Sequence, residues 1–492
     1  MSRTKITFLN PPFLKNYSRP QRSPAVTKSG TLYFPLWLCS AAALAEAKGH
    51  EIDVIDAPAD DHDLDYVLQR IDKLGPGLIV VDTSTPSIYN DADICKTLKE
   101  KVPGVLILMV GTHVSALPEE SLVLSDAIDA IAVGEYDETV LDVARVAAGE
   151  MSLSEVAGLC CRVDGKPQRT AKRGPIEDLD TLPFVSGIYK KFLRIENYFN
   201  PNSLHPMVTI TTSRGCPHHC FFCVYPQTMM GHKMRVRSVK DVVDEIESII
   251  QNFPGVKSIF FEDDTFTIHR ERCADISREI IRRGIRISWT ANARADLDYE
   301  TMKVMQESGC RCVCVGFETG NQHLLDRINK AMSLEKYQPF VESARKAGIL
   351  VHGCFMVGLP GETRETMANT LDLAKRLTPE TVQFYPVMIY PGTEAFKWAE
   401  EKGLIATRDF SKWLTPQGLH NTIIRGEGLS SEDLVRFCDD ARREFYLRPR
   451  YILYKLWQMI RHPSEIKRNL KSARTFAKYL LKGSDIKKAE DC

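Results

Sequence analysis

Met207-Val-Thr-Ile-Thr-Thr-Ser-Arg-Gly-Cys216-Pro-His-His-Cys220-Phe-Phe-Cys223 runs from an apolar strand into a loop that carries three cysteines at i, i+4 and i+7. Three thiols so spaced converge, and soft thiolates select iron-sulfur clusters or zinc over hard cations. A structural zinc needs a fourth ligand nearby. His218 and His219 are the candidates, but both lie inside the loop, where closing a tetrahedron is awkward. Three thiolates on a four-iron cluster leave one iron open to a further ligand.

Downstream, apolar runs alternate with helical stretches: SIFFEDDTF, ISWTANAR, CVCVGFETG, LVHGCFMVGLPGET and TVQFYPVMIYPGT are separated by helices near 270, 300, 334 and 364. With the quoted strand this makes six strands, and the pattern predicts a parallel sheet curled into a partial (β/α)6 TIM-type barrel over 206–415. Active residues in such barrels sit on the loops after the strands. Upstream, KITFLN, EIDVIDA, GLIVVDTST, GVLILMVG and AIDAIAVG alternate with helices. Continuous Val/Ile/Leu strands of this kind indicate a parallel sheet covered on both faces, hence a doubly wound, Rossmann-like domain over 1–150 whose ligand crevice lies beyond the strand ends. Its turns there hold Thr83, Ser84, Thr85 and Ser87, Gly111 and His113, and Gly134 and Glu135. Residues 151–205 read as a connector and 416–492 as a helical tail. The fold class is therefore α/β throughout, with helices at the end.

Composition narrows the partners. Sixty-four basic residues balance 64 acidic ones, so the net field gives no reason to expect nucleic acid. MSRTKITFLNPPF lacks the features of an export signal, so the chain is expected in the cytoplasm, with its 14 cysteines reduced. No G-x-G-x-x-G follows the first strand and no G-x-x-x-x-G-K-[ST] occurs, which removes the best evidence for a dinucleotide or P-loop site. Cys310, Cys312 and Cys314 alternate along one strand, too far apart to converge, and read as core residues, as do Cys160 and Cys161.

The Cys-x3-Cys-x2-Cys loop, with aromatic Phe222 before its third cysteine and a barrel around it, resembles the radical S-adenosylmethionine superfamily. The resemblance implies a 4Fe-4S cluster on Cys216, Cys220 and Cys223. It implies that the open iron chelates S-adenosylmethionine and that an external donor of flavodoxin or ferredoxin type supplies the electron releasing a 5'-deoxyadenosyl radical. It also implies cofactor contacts at Glu262, Asp263 and Asp264 for the methionine amino group, Arg294 for a carboxylate, Glu318 for the ribose, and Gly358 with Glu362 on the adenine side. The competing reading of each is a polar cap on a barrel strand.

A doubly wound domain before such a barrel is similar to the cobalamin-binding subclass, which implies cobalamin at the turns from Thr83 to Glu135. The Asp-x-His-x-x-Gly motif of a lower-axial histidine is absent, so a bound corrinoid is expected without histidine on cobalt. The further cysteines of a methylthiotransferase are also absent, since residues 1–150 hold only Cys39 and Cys95. Two reactions remain: C-methylation through methylcobalamin, or cyclisation and rearrangement as in anaerobic magnesium-protoporphyrin ester cyclases and a hopanoid-cluster protein. A cobalamin sensor with an inert barrel is the alternative from another class, and the intact cysteine triad argues against it.

The tail from 441 to 492 carries 14 Lys and Arg against five Asp and Glu. Ile466, Leu470, Ala473, Phe476, Ala477, Leu480 and Leu481 recur there at helical spacing, which predicts an amphipathic basic helix. Such a helix either packs on the barrel or lies on an anionic membrane and gives access to a lipid-linked substrate.

Overall fold

The computed structural model describes residues 3–425 and 428–461. The first sheet has seven strands in the order β2-β1-β3-β4-β5-β6-β7. They are β1 (Lys5–Asn10), β2 (Glu51–Asp56), β3 (Leu78–Asp82), β4 (Leu106–Val110), β5 (Ala130–Ala132), β6 (Leu159–Val163) and β7 (Lys166–Arg169). The first five are parallel. All five residues of Leu78-Ile-Val-Val-Asp82 are buried, as a strand covered on both faces requires. The strand order reverses beside β1, so the crevice opens at the carboxyl ends of β1 and β3.

The connector expected at 151–205 begins later than the sequence reading placed it. Leu159–Val163 and Lys166–Arg169 close the sheet as an antiparallel hairpin. Asp164 at φ 50° and Gly165 at φ 76° form its two-residue turn. Asp-Gly between short strands is a hairpin signal in its own right. Cys160 and Cys161 are buried core residues of β6.

The second sheet is all parallel in the order β15-β14-β13-β12-β11-β8. It comprises β8 (Met207–Ile210), β11 (Ser258–Phe261), β12 (Ser288–Ala293), β13 (Cys310–Glu318), β14 (Leu350–Val357) and β15 (Thr381–Pro386). A two-stranded ribbon of β9 (Ser213–Arg214) and β10 (Arg235–Val236) follows the first barrel strand. Six strands do not close a barrel, and β8 and β15 leave a gap. The segment between β1 and the helix Leu36–Ala47 reaches this second domain, with Leu32 bridged to Phe199 and Tyr33 edge-on to Phe260.

A register shift opposite Trp289 and Thr290 leaves Arg311 as the extra residue on β13 and interrupts the cysteine alternation read from the sequence. Trp289 is fully buried, packs on Phe261 and Phe266, and donates its indole N–H to Ser308 O at 3.2 Å. Trp289→Ala is expected to lower barrel stability by about 3–5 kcal/mol, read as a shift in the denaturant midpoint.

Candidate active site and cluster loop

Local hydrogen bonding explains how the cysteine loop holds its shape. Gly215, at φ 83°, is pressed against the ribbon: a Cβ there would lie 2.4 Å from Lys233 O. Cys216 N–H donates to Gly231 O at 3.3 Å, and Cys223 N–H to Cys220 O at 3.1 Å. The Gln227 amide donates to the carbonyls of Cys220, Phe221 and Cys223 at 3.2, 3.3 and 2.9 Å. Behind the loop, the fully buried Asp263 carboxylate accepts from the Thr212 N–H and hydroxyl and from the Ser213 hydroxyl, tying the end of β8 to the end of β11. Asp263 therefore positions the loop and is turned away from the cavity.

Cys216, Cys220 and Cys223 are free thiols lining one cavity of about 2270 Å³. Burial pushes the Cys216 thiol up and the Cys223 thiol well above the usual range. Such groups ionise only beside a strong cationic partner, which suits metal ligands. Among the described residues no three His, Cys, Asp or Glu side chains close around a single ion; a four-iron cluster spreads its ligands over several metals. His219 stacks on His232 at 3.9 Å, and burial lowers His218 to about 4.

Phe222, Asp264, Arg294 and Glu318 line the same cavity as the thiols. The Arg294 guanidinium donates through Nη2 to Lys330 O and Ala331 O at 2.8 Å each, and its Nε has no hydrogen-bond partner. Glu318 sits at φ 63°, a strained position for a side-chain-bearing residue. Its Oε1 accepts from Lys330 Nζ at 2.5 Å, while its buried Oε2 is unpartnered. Burial works against the Lys330 charge, yet Glu318 outweighs it and raises the ammonium. Gly316 makes room for this pair, because a Cβ there would stand 2.1 Å from Glu318 Oε1.

Glu262 lies behind Arg22, whose Nη1 donates to its Oε1 at 2.5 Å and whose Nη2 is 3.5 Å from Asp264. Burial raises both carboxyls despite that guanidinium, and Glu262 Oε2 is unpartnered. Gly358 and Glu362 lie off the cavity. Burial raises Glu362 to about 7, and its Oε1 accepts from the Thr366 hydroxyl. The unpartnered Arg294, Glu318 and Glu262 atoms beside three thiols suit a cluster with a zwitterionic ligand. Arg22, Gln227 and Lys330 escaped the sequence reading: each is remote from the loop or off its motif.

The turns of the first domain fit a ligand less well. Ser84 Oγ is 2.8 Å from the Tyr17 hydroxyl, Ser87 donates to Asp91 at 2.6 Å, and Thr83 donates to Asp91 at 2.8 Å. Arg19 binds Asp91, Ser87 and Asn10 from above. His113 meets Thr85 at 3.1 Å under Phe410, and burial lowers it to about 3. Gly111, at φ 124°, leaves no space for a Cβ beside Thr83 O. Gly134 N–H donates to Ser115, and Glu135 pairs with Arg214 and Arg235. As folded here these hydroxyls are spent on the chain itself and offer a corrinoid no free donors.

The family model described as the radical SAM superfamily matches residues 210–374, and that described as a B12 binding domain matches 22–144. An uncharacterized methyltransferase of Pyrococcus horikoshii is 30% identical over 440 residues, covering 89% of this chain and 93% of that one. The anaerobic magnesium-protoporphyrin IX monomethyl ester cyclase of Rubrivivax gelatinosus is 28% identical over 85% of this chain and 75% of its own. The solved methyltransferase TsrM of Kitasatospora setae, with cobalamin and a [4Fe-4S] cluster, superposes with a TM-score of 0.66 at 18% identity, covering 89% of this chain and 85% of that one; at that identity the likeness concerns the fold.

Replacing any one of Cys216, Cys220 and Cys223 by Ala is expected to abolish 5'-deoxyadenosine formation and the four-iron absorbance. Gly316→Ala, which pushes Glu318 aside and leaves the thiols alone, is expected to keep the absorbance while weakening S-adenosylmethionine binding about tenfold or more, measured by equilibrium dialysis.

Proposed function

Because the chain belongs to the radical S-adenosylmethionine superfamily and to its cobalamin-binding branch, we propose that it carbon-methylates, or closes a ring on, a bulky and largely apolar organic molecule held in the barrel. Its cofactors are those of the family: a 4Fe-4S cluster, S-adenosylmethionine and cobalamin. The observation that carries the substrate reading is the 2270 Å³ cavity beginning at the thiols, which takes in the cluster and S-adenosylmethionine residues and still exceeds the about 300–1,000 Å³ of an ordinary small-molecule site. Relatives named for methylation include a hopanoid C-3 methylase of Methylococcus capsulatus, and those named for ring closure are the cyclases. The hopanoid methylase and the cyclases are named for polycyclic compounds, which supports this substrate class, whereas a Streptomyces wedmorensis relative is named for methylating cytidylyl-2-hydroxyethylphosphonate.

The thiolates of Cys216, Cys220 and Cys223 would hold the cluster, which when bound and reduced would supply the one electron that splits S-adenosylmethionine into methionine and a 5'-deoxyadenosyl radical. The chain's own work is to bind and orient. Arg294 Nε, which makes no hydrogen bond and is 3.8 Å from the Asp296 carboxylate, offers a donor to a carboxylate, and Glu318 Oε2 offers an acceptor to a hydroxyl without giving up a partner. Glu262 and Asp264 receive an ammonium only after Arg22 withdraws, so Arg22 acts as a resident cation that competes with the ligand. We place the enzyme in the cytoplasm with an external flavodoxin- or ferredoxin-type donor; among the described residues no helix is long and apolar enough to cross a membrane. The basic helix read at 466–481 lies outside the described residues.

S-adenosylhomocysteine accompanying 5'-deoxyadenosine in the reduced, reconstituted enzyme marks methyl transfer, and its absence with product formed marks cyclisation; absence of both nucleosides would sink the reading. Arg22→Ala is expected to tighten S-adenosylmethionine binding several-fold, and weaker binding would show Arg22 to be a support. Histidine labelled with 15N is expected to leave the Co(II) paramagnetic resonance spectrum unchanged, because His113 is locked against Thr85 and Phe410.

A further inference from the structure

The cavity has a second end. From the thiols it runs the length of the barrel to Arg311, Leu350 and Thr381 at the opposite ends of their strands, and it meets the helix Pro449–Arg461 at Tyr451, Ile452 and Leu456. The eight residues of β14 span about 26 Å at ~3.3 Å each. A closed barrel of eight strands fills that space with side chains; six open strands leave a bore.

One face of the helix Pro449–Arg461 is pinned. Tyr451 is buried and donates to Glu380 O at 2.7 Å, Tyr454 donates to the Glu380 carboxylate, and Arg448 donates to Lys375 O at 2.8 Å. The other face carries Leu453, Leu456, Trp457 and Ile460 at i, i+3, i+4 and i+7, exposed by 65%, 48%, 50% and 78%. Of the 11 exposed large apolar residues among those described, six fall between Leu447 and Ile460. Monomers scatter such residues singly, so a stripe of this kind marks an interaction surface. Its charge has one sign: Arg448, Arg450, Lys455 and Arg461 occur between 447 and 461, with no Asp or Glu. The Glu380 carboxylate is held on the pinned face by Tyr454, and an apolar stripe with an interfacial Trp, on a segment whose own charges are all cationic, is complementary to an anionic bilayer.

We propose that the helix Pro449–Arg461 docks on an anionic membrane surface and that the substrate is a membrane-resident amphiphile whose apolar body enters the bore at this helix. The proposal rests on the reading of the cavity as the substrate site. It accounts for a bore open at the end remote from the cluster: a long apolar molecule leaves the bilayer beside Leu456 and reaches the thiols without crossing water.

The test uses the full-length protein with phosphatidylcholine vesicles, with and without phosphatidylglycerol, some carrying brominated acyl chains. Binding is expected only with phosphatidylglycerol, to weaken with salt, and to fall about tenfold or more in Leu453→Glu/Ile460→Glu. Bromine is expected to quench tryptophan emission in the unaltered protein and not in Trp457→Phe. Equal quenching in Trp457→Phe overturns the proposal by placing the contact elsewhere, in residues 462–492 for example. A dimer that Leu453→Glu/Ile460→Glu splits, with vesicle binding unchanged, overturns it in favour of a second copy. No vesicle binding at all also overturns it. Vesicle binding needs no cluster and no turnover, so its failure leaves S-adenosylmethionine cleavage standing, and loss of cleavage leaves docking standing.

Discussion

The Arg214 guanidinium holds the two domains in one piece, and the cluster loop depends on it. It lies two residues before Cys216 and reaches back into the first domain, pairing with Glu135 and with Asp137 at 2.8 Å and donating to Ser40 at 2.6 Å. Arg235, on the partner strand of the ribbon, binds the other oxygen of Glu135 at 2.7 Å. All four charges are almost fully buried. Burial works to protonate Asp137, but Arg214 outweighs it and keeps the carboxyl below its ordinary range. Such a network adds little net stability over an apolar one, yet losing a single member leaves an uncompensated buried charge at a cost of about 3–5 kcal/mol. Its use is to fix orientation: the turn at Gly134 and Glu135, read from the sequence as a corrinoid contact, serves as the anchor of the cluster loop.

A second constraint is the open side of the barrel. With six strands, the sheet leaves a gap that the chain covers from its own N-terminal segment. Residues 11–35 carry Tyr17 and Arg19 into the first domain's hydroxyl-rich turns, Arg22 to the carboxylates beside the thiols, and Leu32 and Tyr33 to the barrel wall. One segment therefore touches both cofactor regions. Opening the first domain's turns requires Tyr17 and Arg19 to move, and these lie three to five residues from Arg22.

Local patterns carried far in this chain. Cys216-x3-Cys220-x2-Cys223, the apolar runs at 78–82 and 106–110 and the strand series from 207 to 386 determined an α/β pair of domains and a thiol-lined loop, because residue spacing and periodicity follow from backbone geometry alone. The hairpin at 159–169 was legible in Asp164-Gly165 but was hidden by its place after the last parallel strand. What only the tertiary structure decided was the fate of polar side chains. Asp263 turned inward to clamp the loop, Thr83, Ser84 and Ser87 were spent on Tyr17, Arg19 and Asp91, and Lys330 and Arg22 arrived from distant segments to meet Glu318 and Glu262. The reason is that a buried polar atom must find a partner, and which partner it finds depends on chains brought together over tens to hundreds of residues, a matter on which neighbouring sequence is silent.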